Sequence, residues 1–183
     1  MGEAKKIVES IDVNKVIFNV GSYNYLEKDL IKTLKRKNIK YYKNIENIYI
    51  RNTPIYFLNT GVYNNENDNS NVIYFIVNNY KFLLMGDAGV DKEKDILNEY
   101  SIEDIDFLKV GHHGSDTSSS KEFIDIMNPK YSIISVGKNN RYGHPNKEVL
   151  NTLDNSKIYR TDQDGSIMFK IKNNKLKIET CSP

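Results

Sequence analysis

The chain has 183 residues, enough for one domain (residues 1–183) with a real core, and its 39% hydrophobic and 27% charged residues are those of a soluble globular protein. A net charge of +2, with basic and acidic residues interspersed, argues neither for nor against nucleic acid. The single cysteine, Cys181, excludes an internal disulfide, no apolar run reaches the roughly 18 residues of a membrane span, and no signal-peptide core opens the chain, so the sequence as written is expected to be cytoplasmic.

In chain order, Glu3 to Ser10 reads as a short helix and Lys15 to Val20 as the first strand. Leu26 to Lys37 is a clearer helix, with Leu26, Leu30, Ile31 and Leu34 on one face at helical spacing. Short strands follow at Ile39–Tyr42, Ile45–Ile50 and Pro54–Leu58. The Asn-rich segment Asn64 to Asn71, read as a loop and a candidate flexible tip, leads into a strand at Val72–Val77. Asn78-Asn79 marks a hairpin turn into Lys81–Met85. From there strand and helix alternate: helix Lys92–Tyr100, strand Ile105–Val110, helix Ser118–Met127, strand Tyr131–Val136 and helix Lys147–Leu153. Ser119 and Glu122 have capping-box spacing, which accounts for the serine run without catalysis. Strands at Lys157–Tyr159, Ile167–Ile171 and Leu176–Ile178 close the chain, with turns at Thr161–Gly165 and Asn173-Asn174. The pattern is that of an α/β protein.

Two apolar runs carry the chemistry. Phe82-Leu-Leu-Met-Gly-Asp87 ends on a carboxylate, and Phe107-Leu-Lys-Val-Gly-His-His-Gly-Ser115 ends on two of the three histidines. Side chains just past the ends of buried strands lie where α/β folds keep their sites. A carboxylate and an imidazole at neighbouring strand ends can ligate one divalent metal or bridge two. Strand alternation turns one of His112 and His113 to the site and the other away. Ser115 could donate to a substrate oxygen, and His144, in Tyr142-Gly-His-Pro145, to a leaving group or phosphate. Each has a plainer reading: Asp87 as a common Gly-Asp turn, His112 as a packed neighbour bonding a carbonyl, Asp116 as a turn residue and Arg141 as a solvated cation. A serine-hydrolase reading of Ser115 lacks the Gly-x-Ser-x-Gly elbow.

Met85-Gly-Asp87, Leu108-Lys-Val-Gly-His-His-Gly-Ser115, Asn140-Arg-Tyr-Gly-His-Pro145 and Tyr159-Arg-Thr-Asp-Gln-Asp-Gly165 follow one another in the order of a single family. Together they resemble the metallo-β-lactamase-fold domain of competence proteins of the ComEC/Rec2 type, and the Asn-rich loop resembles that family's Asn/Ser segment. The resemblance implies a four-layer αββα sandwich with a site for one or two metals, zinc or manganese, and hydrolysis of phosphoester bonds, nucleic acid included. Carried over by position, Asp87 matches the bridging aspartate and His113 the late histidine ligand. His112 matches a ligand or its support, and His144 a catalytic, substrate-side residue.

Members of that fold also carry an early His-x-His-x-Asp-His motif, whereas no histidine precedes His112 here, and Met1-Gly-Glu-Ala4 resembles the segment that follows the motif. The resemblance therefore implies a C-terminal portion, incomplete at its N-terminus. It would hold metal weakly and be inactive alone, or be a non-catalytic binding domain that keeps the fold. Missing strands would leave a sheet edge open to a homodimer, and a longer native chain would allow an extracytoplasmic or membrane-attached site.

Overall fold

Residues 3–182 are described by the computed structural model, in two units, Met1–Ile45 and Glu46–Pro183. Met1 and Gly2, the opening of the segment likened above to the one that follows the family's early motif, lie outside the described residues.

The first unit is a βαβ crossover preceded by a helix: α1 (Ala4–Ser10), β1 (Lys15–Phe18), α2 (Tyr25–Arg36) and β2 (Lys40–Lys43), with the two strands paired in parallel. Helix α2 starts in a capping box that the sequence reading did not single out. Asn24 Oδ1 accepts from Glu27 N at 3.0 Å, and Glu27 returns a bond to Asn24 N at 2.8 Å. Leu30 and Leu34 are buried with Val8 and Phe18, as the helical spacing predicts. Leu26 is exposed instead, because Glu27, drawn in by the cap, takes the inner position of the first turn.

The second unit is built on one seven-stranded sheet in the order β3 (Asn47–Ile50), β4 (Thr53–Phe57), β5 (Ile73–Val77), β6 (Tyr80–Leu84), β7 (Phe107–Lys109), β8 (Tyr131–Ile134) and β9 (Lys157–Arg160). The strands β3 to β6 form an antiparallel meander. The pairs β6–β7, β7–β8 and β8–β9 are parallel, bridged by α3 (Val90–Glu99), α4 (Lys121–Met127) and α5 (Lys147–Thr152). The expected α/β class is thus seen as a large mixed sheet. A hairpin of β10 (Ser166–Lys172) and β11 (Lys175–Cys181) ends the chain. Both Asn-Asn turns have paired positive φ, 48° and 66° at Asn78-Asn79 and 50° and 56° at Asn173-Asn174, the backbone of a two-residue hairpin loop.

The sheet's two faces differ. Leu83, Met85, Leu108, Val110, Ile134 and Val136 join Ile96, Phe123, Met127 and Val149 of the three helices, and Leu153 just after α5, in a largely aliphatic core. The other face carries a row of rings, Phe75 on Phe82 at 4.8 Å, Phe82 on Phe107 at 4.5 Å and Phe107 on Tyr131 at 5.1 Å, with Phe169 of the hairpin edge-on to Phe107 at 4.7 Å. Offset and edge-on ring pairs add to what their burial supplies.

Three local readings are corrected. The N-cap of α4 is Ser120, whose Oγ accepts from Phe123 N at 3.4 Å, and not Ser119. Ser119 has φ +60°, and its backbone N–H is taken, with that of Ser120, by the buried Glu93 carboxylate. Thr161 to Gly165 is not a simple turn: Thr161–Asp164 makes one helical turn (α6), because Asp164 Oδ2 reaches back to Arg160 N at 2.7 Å and Arg160 grips Asp162. The Asn-rich loop is no flexible tip. Asp68 and Asn69 are buried, Asp68 Oδ1 accepting from Gly89 N at 2.7 Å and Asn69 bonding both the N–H and the carbonyl of Tyr63 at 2.9 Å. Among the described residues no helix is long and apolar enough to cross a membrane, and Cys181 is free and exposed.

Candidate functional site

The parallel strands β6 and β7 deliver their following residues to the same end of the sheet. After β6 the chain turns at Gly86 (φ +61°), where an added Cβ would lie 2.9 Å from Ser70 Cβ. That close approach lets Ser70 Oγ accept from Asp87 N at 3.1 Å, so the Asn-rich loop fixes the turn that presents the carboxylate. After β7 the chain enters a single 3₁₀ turn, Gly111–Gly114, tied to the first turn by His112 N to Gly86 O at 3.1 Å. His112 (φ 43°, ψ 43°) and His113 (φ 56°, ψ 19°) are both left-handed. Such residues cost about 1–3 kcal/mol each and persist only where the surroundings enforce them. Gly114 (φ +80°) closes the turn against Pro145, whose Cβ would be 2.6 Å from an added Cβ.

The two histidines therefore diverge, though not by strand alternation, since the strand ends at Lys109. His113 Nδ1 lies 2.6 Å from Ser135 O, and a carbonyl can only accept, so Nδ1 carries the proton. The lone pair of the neutral ring is then on Nε2, which faces Asp87 Oδ1 at 3.5 Å. Both side chains are open to solvent, 47% exposed for His113 and 46% for Asp87. His112 turns the other way, with Nδ1 3.1 Å from Thr117 Oγ1 and Nε2 3.4 Å from Asn67 Nδ2.

His144 joins from the loop after β8. Its ring centroid is 5.9 Å from that of His112 and 5.8 Å from that of Tyr142, the Tyr142 pair nearly parallel at 16°. Burial holds its pKa below the ordinary histidine value, and His112 and His113 push it further down against Asp116. Neutral imidazole is its form at neutral pH. The loop is braced by Asn140, whose Nδ2 donates to Gly137 O at 3.1 Å and His144 O at 2.8 Å while its Oδ1 accepts from His144 N at 2.9 Å. The His144–Pro145 peptide is cis. Between this loop and His113 lies a cavity of about 430 Å³, lined also by Ser135, Val136, Tyr142 and Thr161.

Ser115, expected to meet a substrate oxygen, is 4% exposed. Its hydroxyl donates to Asp116 Oδ1 at 3.3 Å and contacts Thr117 Oγ1 at 3.1 Å, continuing the chain that reaches His112. Three contributors were missed in the sequence: Ser70 and Asn67, which touch the Asp87 turn and His112, and Ser135, whose carbonyl sets the His113 tautomer. The Asn/Ser character of the loop was visible. The backbone acceptor left no sequence signal.

The donors fit a metal in part. Two ligands at about 2.0–2.2 Å on one tetrahedral ion stand roughly 3.4 Å apart, close to the 3.5 Å between Asp87 Oδ1 and His113 Nε2. A ligating histidine usually donates its other ring N–H to a carbonyl or carboxylate, as His113 does. Among the described residues, however, no group of three or more His, Cys, Asp or Glu side chains is arranged to hold a metal. The pair is two-thirds of the three protein ligands in a typical catalytic zinc site.

Fold and site define an α/β protein with a carboxylate–imidazole pair at the ends of adjacent parallel strands. By sequence the chain is similar to part of ComE operon protein 3 of Bacillus subtilis, 41% identical over 110 residues, which is 59% of this chain and 14% of that protein. It is also similar to part of competence protein ComA of Neisseria gonorrhoeae, 33% over 107 residues (57% of this chain, 16% of the relative). A third relative is recombination protein 2 of Haemophilus influenzae, 32% over 116 residues (61% and 14%). The chain thus spans about a seventh of the length of these relatives. No family model matches it.

Proposed function

We propose that residues 46–183 form the metal-binding part of a metallo-β-lactamase-type hydrolase that acts on phosphoester bonds. In this reading the chain serves DNA uptake, the setting that the name of the Neisseria gonorrhoeae relative, a competence protein, suggests. The observation that carries it is the Asp87–His113 pair: a carboxylate oxygen and an imidazole lone pair face each other at 3.5 Å, with the ring turned by the Ser135 carbonyl. Two electron-rich atoms so placed call for a cation between them, a proton or a metal. The helix-backed sheet, with a ring-covered second face, supports assignment to one half of an αββα sandwich. A zinc or manganese ion here would supply Lewis acidity and a water of lowered pKa.

The chain's own residues have separable tasks. Asp87 and His113 hold the cation. His112, bonded to Asn67 and Thr117, packs beside His144 and keeps that ring over the cavity. His144, its pKa held low by burial, can hydrogen-bond a leaving oxygen through its ring N–H, or take a proton from an attacking water on its other ring nitrogen. The remaining coordination falls to water or to donors outside the described residues. That shortfall favours a second reading, a nucleic-acid-binding domain without hydrolysis. A homodimer would pair through β3, an edge strand with Tyr49 and Ile50 exposed.

The test is hydrolysis of bis(p-nitrophenyl) phosphate with added zinc or manganese. The hydrolase reading expects turnover that a chelator abolishes and a serine-directed reagent leaves intact. Turnover insensitive to chelator would refute it, and metal that neither binds nor stabilises the protein would leave the binding-domain reading in its place.

A further inference from the structure

Resting on the phosphoesterase reading above, we infer that Tyr142 is a stacking platform for an unpaired nucleobase in the cavity beside Asp87 and His113. Tyr142 is 68% exposed, yet it lines the cavity wall next to His113 and His144. An exposed tyrosine normally swings freely, but this ring is held at 5.8 Å and 16° against His144. His144 in turn belongs to the loop that the Asn140 side chain braces with three hydrogen bonds. The loop is anchored a second time by Asn146 N to Gly114 O at 2.8 Å. A flat ring pre-positioned on a rigid loop loses little freedom when another ring lies on it.

The chemistry of the walls says what kind of ligand fits. Asn140 has spent its amide on the loop, and Thr161 Oγ1 both accepts from Val136 N and donates to Val136 O at 2.8 Å. His113 has spent Nδ1 on Ser135. The cavity therefore offers ring faces and few free hydrogen-bonding edges. Such a site takes a planar group by its face and is indifferent to which base it is. The volume, about 430 Å³, lies in the range of small-ligand sites. Arg141 adds charge of the right sign: its guanidinium lies 5.1 Å from the Tyr142 ring centre and its Nη2 donates to the Tyr142 hydroxyl at 3.0 Å. That contact is exposed and readily exchanged for a phosphate oxygen. In a duplex the bases are already stacked, so the site selects single strands.

The test is fluorescence anisotropy of a labelled oligothymidylate in EDTA, where no metal-dependent cleavage can occur. Its affinity is compared with that of an abasic strand of equal length and of a duplex. The wild type should bind the base-bearing strand about tenfold more tightly than the abasic one, within the range for one stacked base. Tyr142→Ala should erase that preference, Tyr142→Phe should keep it, and duplex binding should be the same in all three proteins. A ribo-oligonucleotide arm shows which sugar the site takes, since dependence on Tyr142 with either strand supports the platform. Equal wild-type affinity for base-bearing and abasic strands, a preference that survives Tyr142→Ala, or an equal loss of duplex binding would overturn it. Metal binding and phosphodiester turnover are read separately, so the stacking site and the hydrolase reading fail independently.

Discussion

Asp68 and Glu93 flank Asp87 in the sequence, and the three carboxylates live in opposite surroundings. Asp68 and Glu93 are buried, and their oxygens are taken up by the backbone N–H groups of Gly89, Ser119 and Ser120. They knit the Asn-rich loop, α3 and the start of α4 into one support. Asp87 is half open, and its side chain faces the imidazole of His113. The difference teaches how to tell structure from function here. A carboxylate whose oxygens are filled by backbone N–H groups and neighbouring side chains, as Asp68 Oδ2 is by the Asn65 amide at 3.0 Å, holds the fold, and one left facing a lone pair is available to a ligand. The support also explains how two left-handed histidines are tolerated, because the turns they occupy are tied to segments that the buried carboxylates hold fixed.

The sharpest way to break this contrast is to remove a buried carboxylate. Glu93→Ala leaves two backbone N–H groups without their acceptor and should cost roughly 3 kcal/mol of folding stability. Chemical denaturation of the two proteins checks it, and a loss below about 1 kcal/mol would show that Glu93 is not part of the support. The complementary change is at the site. His113→Ala should weaken metal binding by more than about 100-fold with little change in stability, whereas His112→Ala, which removes only a supporting ring, should cost about 10- to 100-fold. Calorimetric titration of both variants decides it, and a larger loss for His112→Ala reverses the two roles.

Beside Glu93, Lys92 is only 1% exposed, with its ammonium 5.5 Å from the Tyr63 ring centre. Burial lowers its pKa from 10.5 to about 8, against the pull of Glu99, Asp95 and Asp68. A lysine whose folded pKa is depressed binds its proton more weakly folded than unfolded, so stability rises with pH between the two values. Relative to Lys92→Met, the wild type should therefore gain on the order of 2–3 kcal/mol between pH 8 and pH 10.5. Urea midpoints across that window read the gain, and parallel pH profiles for the two proteins would contradict it.

Much of this was legible in the sequence. The strand–helix alternation after Asn79 was visible as apolar runs bounded by turn residues, and the Asn-Asn turns named themselves, because asparagine tolerates positive φ. Asp87 and the His112-His113 pair stood out because short apolar runs ended on them. What the sequence hid was set by tertiary bonds. Strand alternation was the wrong reason for the divergence of the two histidines, since a 3₁₀ turn intervenes. The Ser119 cap failed because Glu93, twenty-six residues upstream, captures that N–H. The Asn-rich loop looked mobile from composition alone, and only Asp68 reaching Gly89 and Ser70 reaching Asp87 reveal it as part of the site.

The central claim, that Asp87 and His113 together hold a divalent cation, is tested most directly by titrating zinc and manganese into the wild type and Asp87→Asn by calorimetry, with thermal unfolding of both as control. The account predicts saturable binding to the wild type, weakened at least about 100-fold by Asp87→Asn, with unfolding midpoints of the metal-free proteins unchanged. Equal affinities in the two proteins, or a wild type that takes up neither metal, would contradict it.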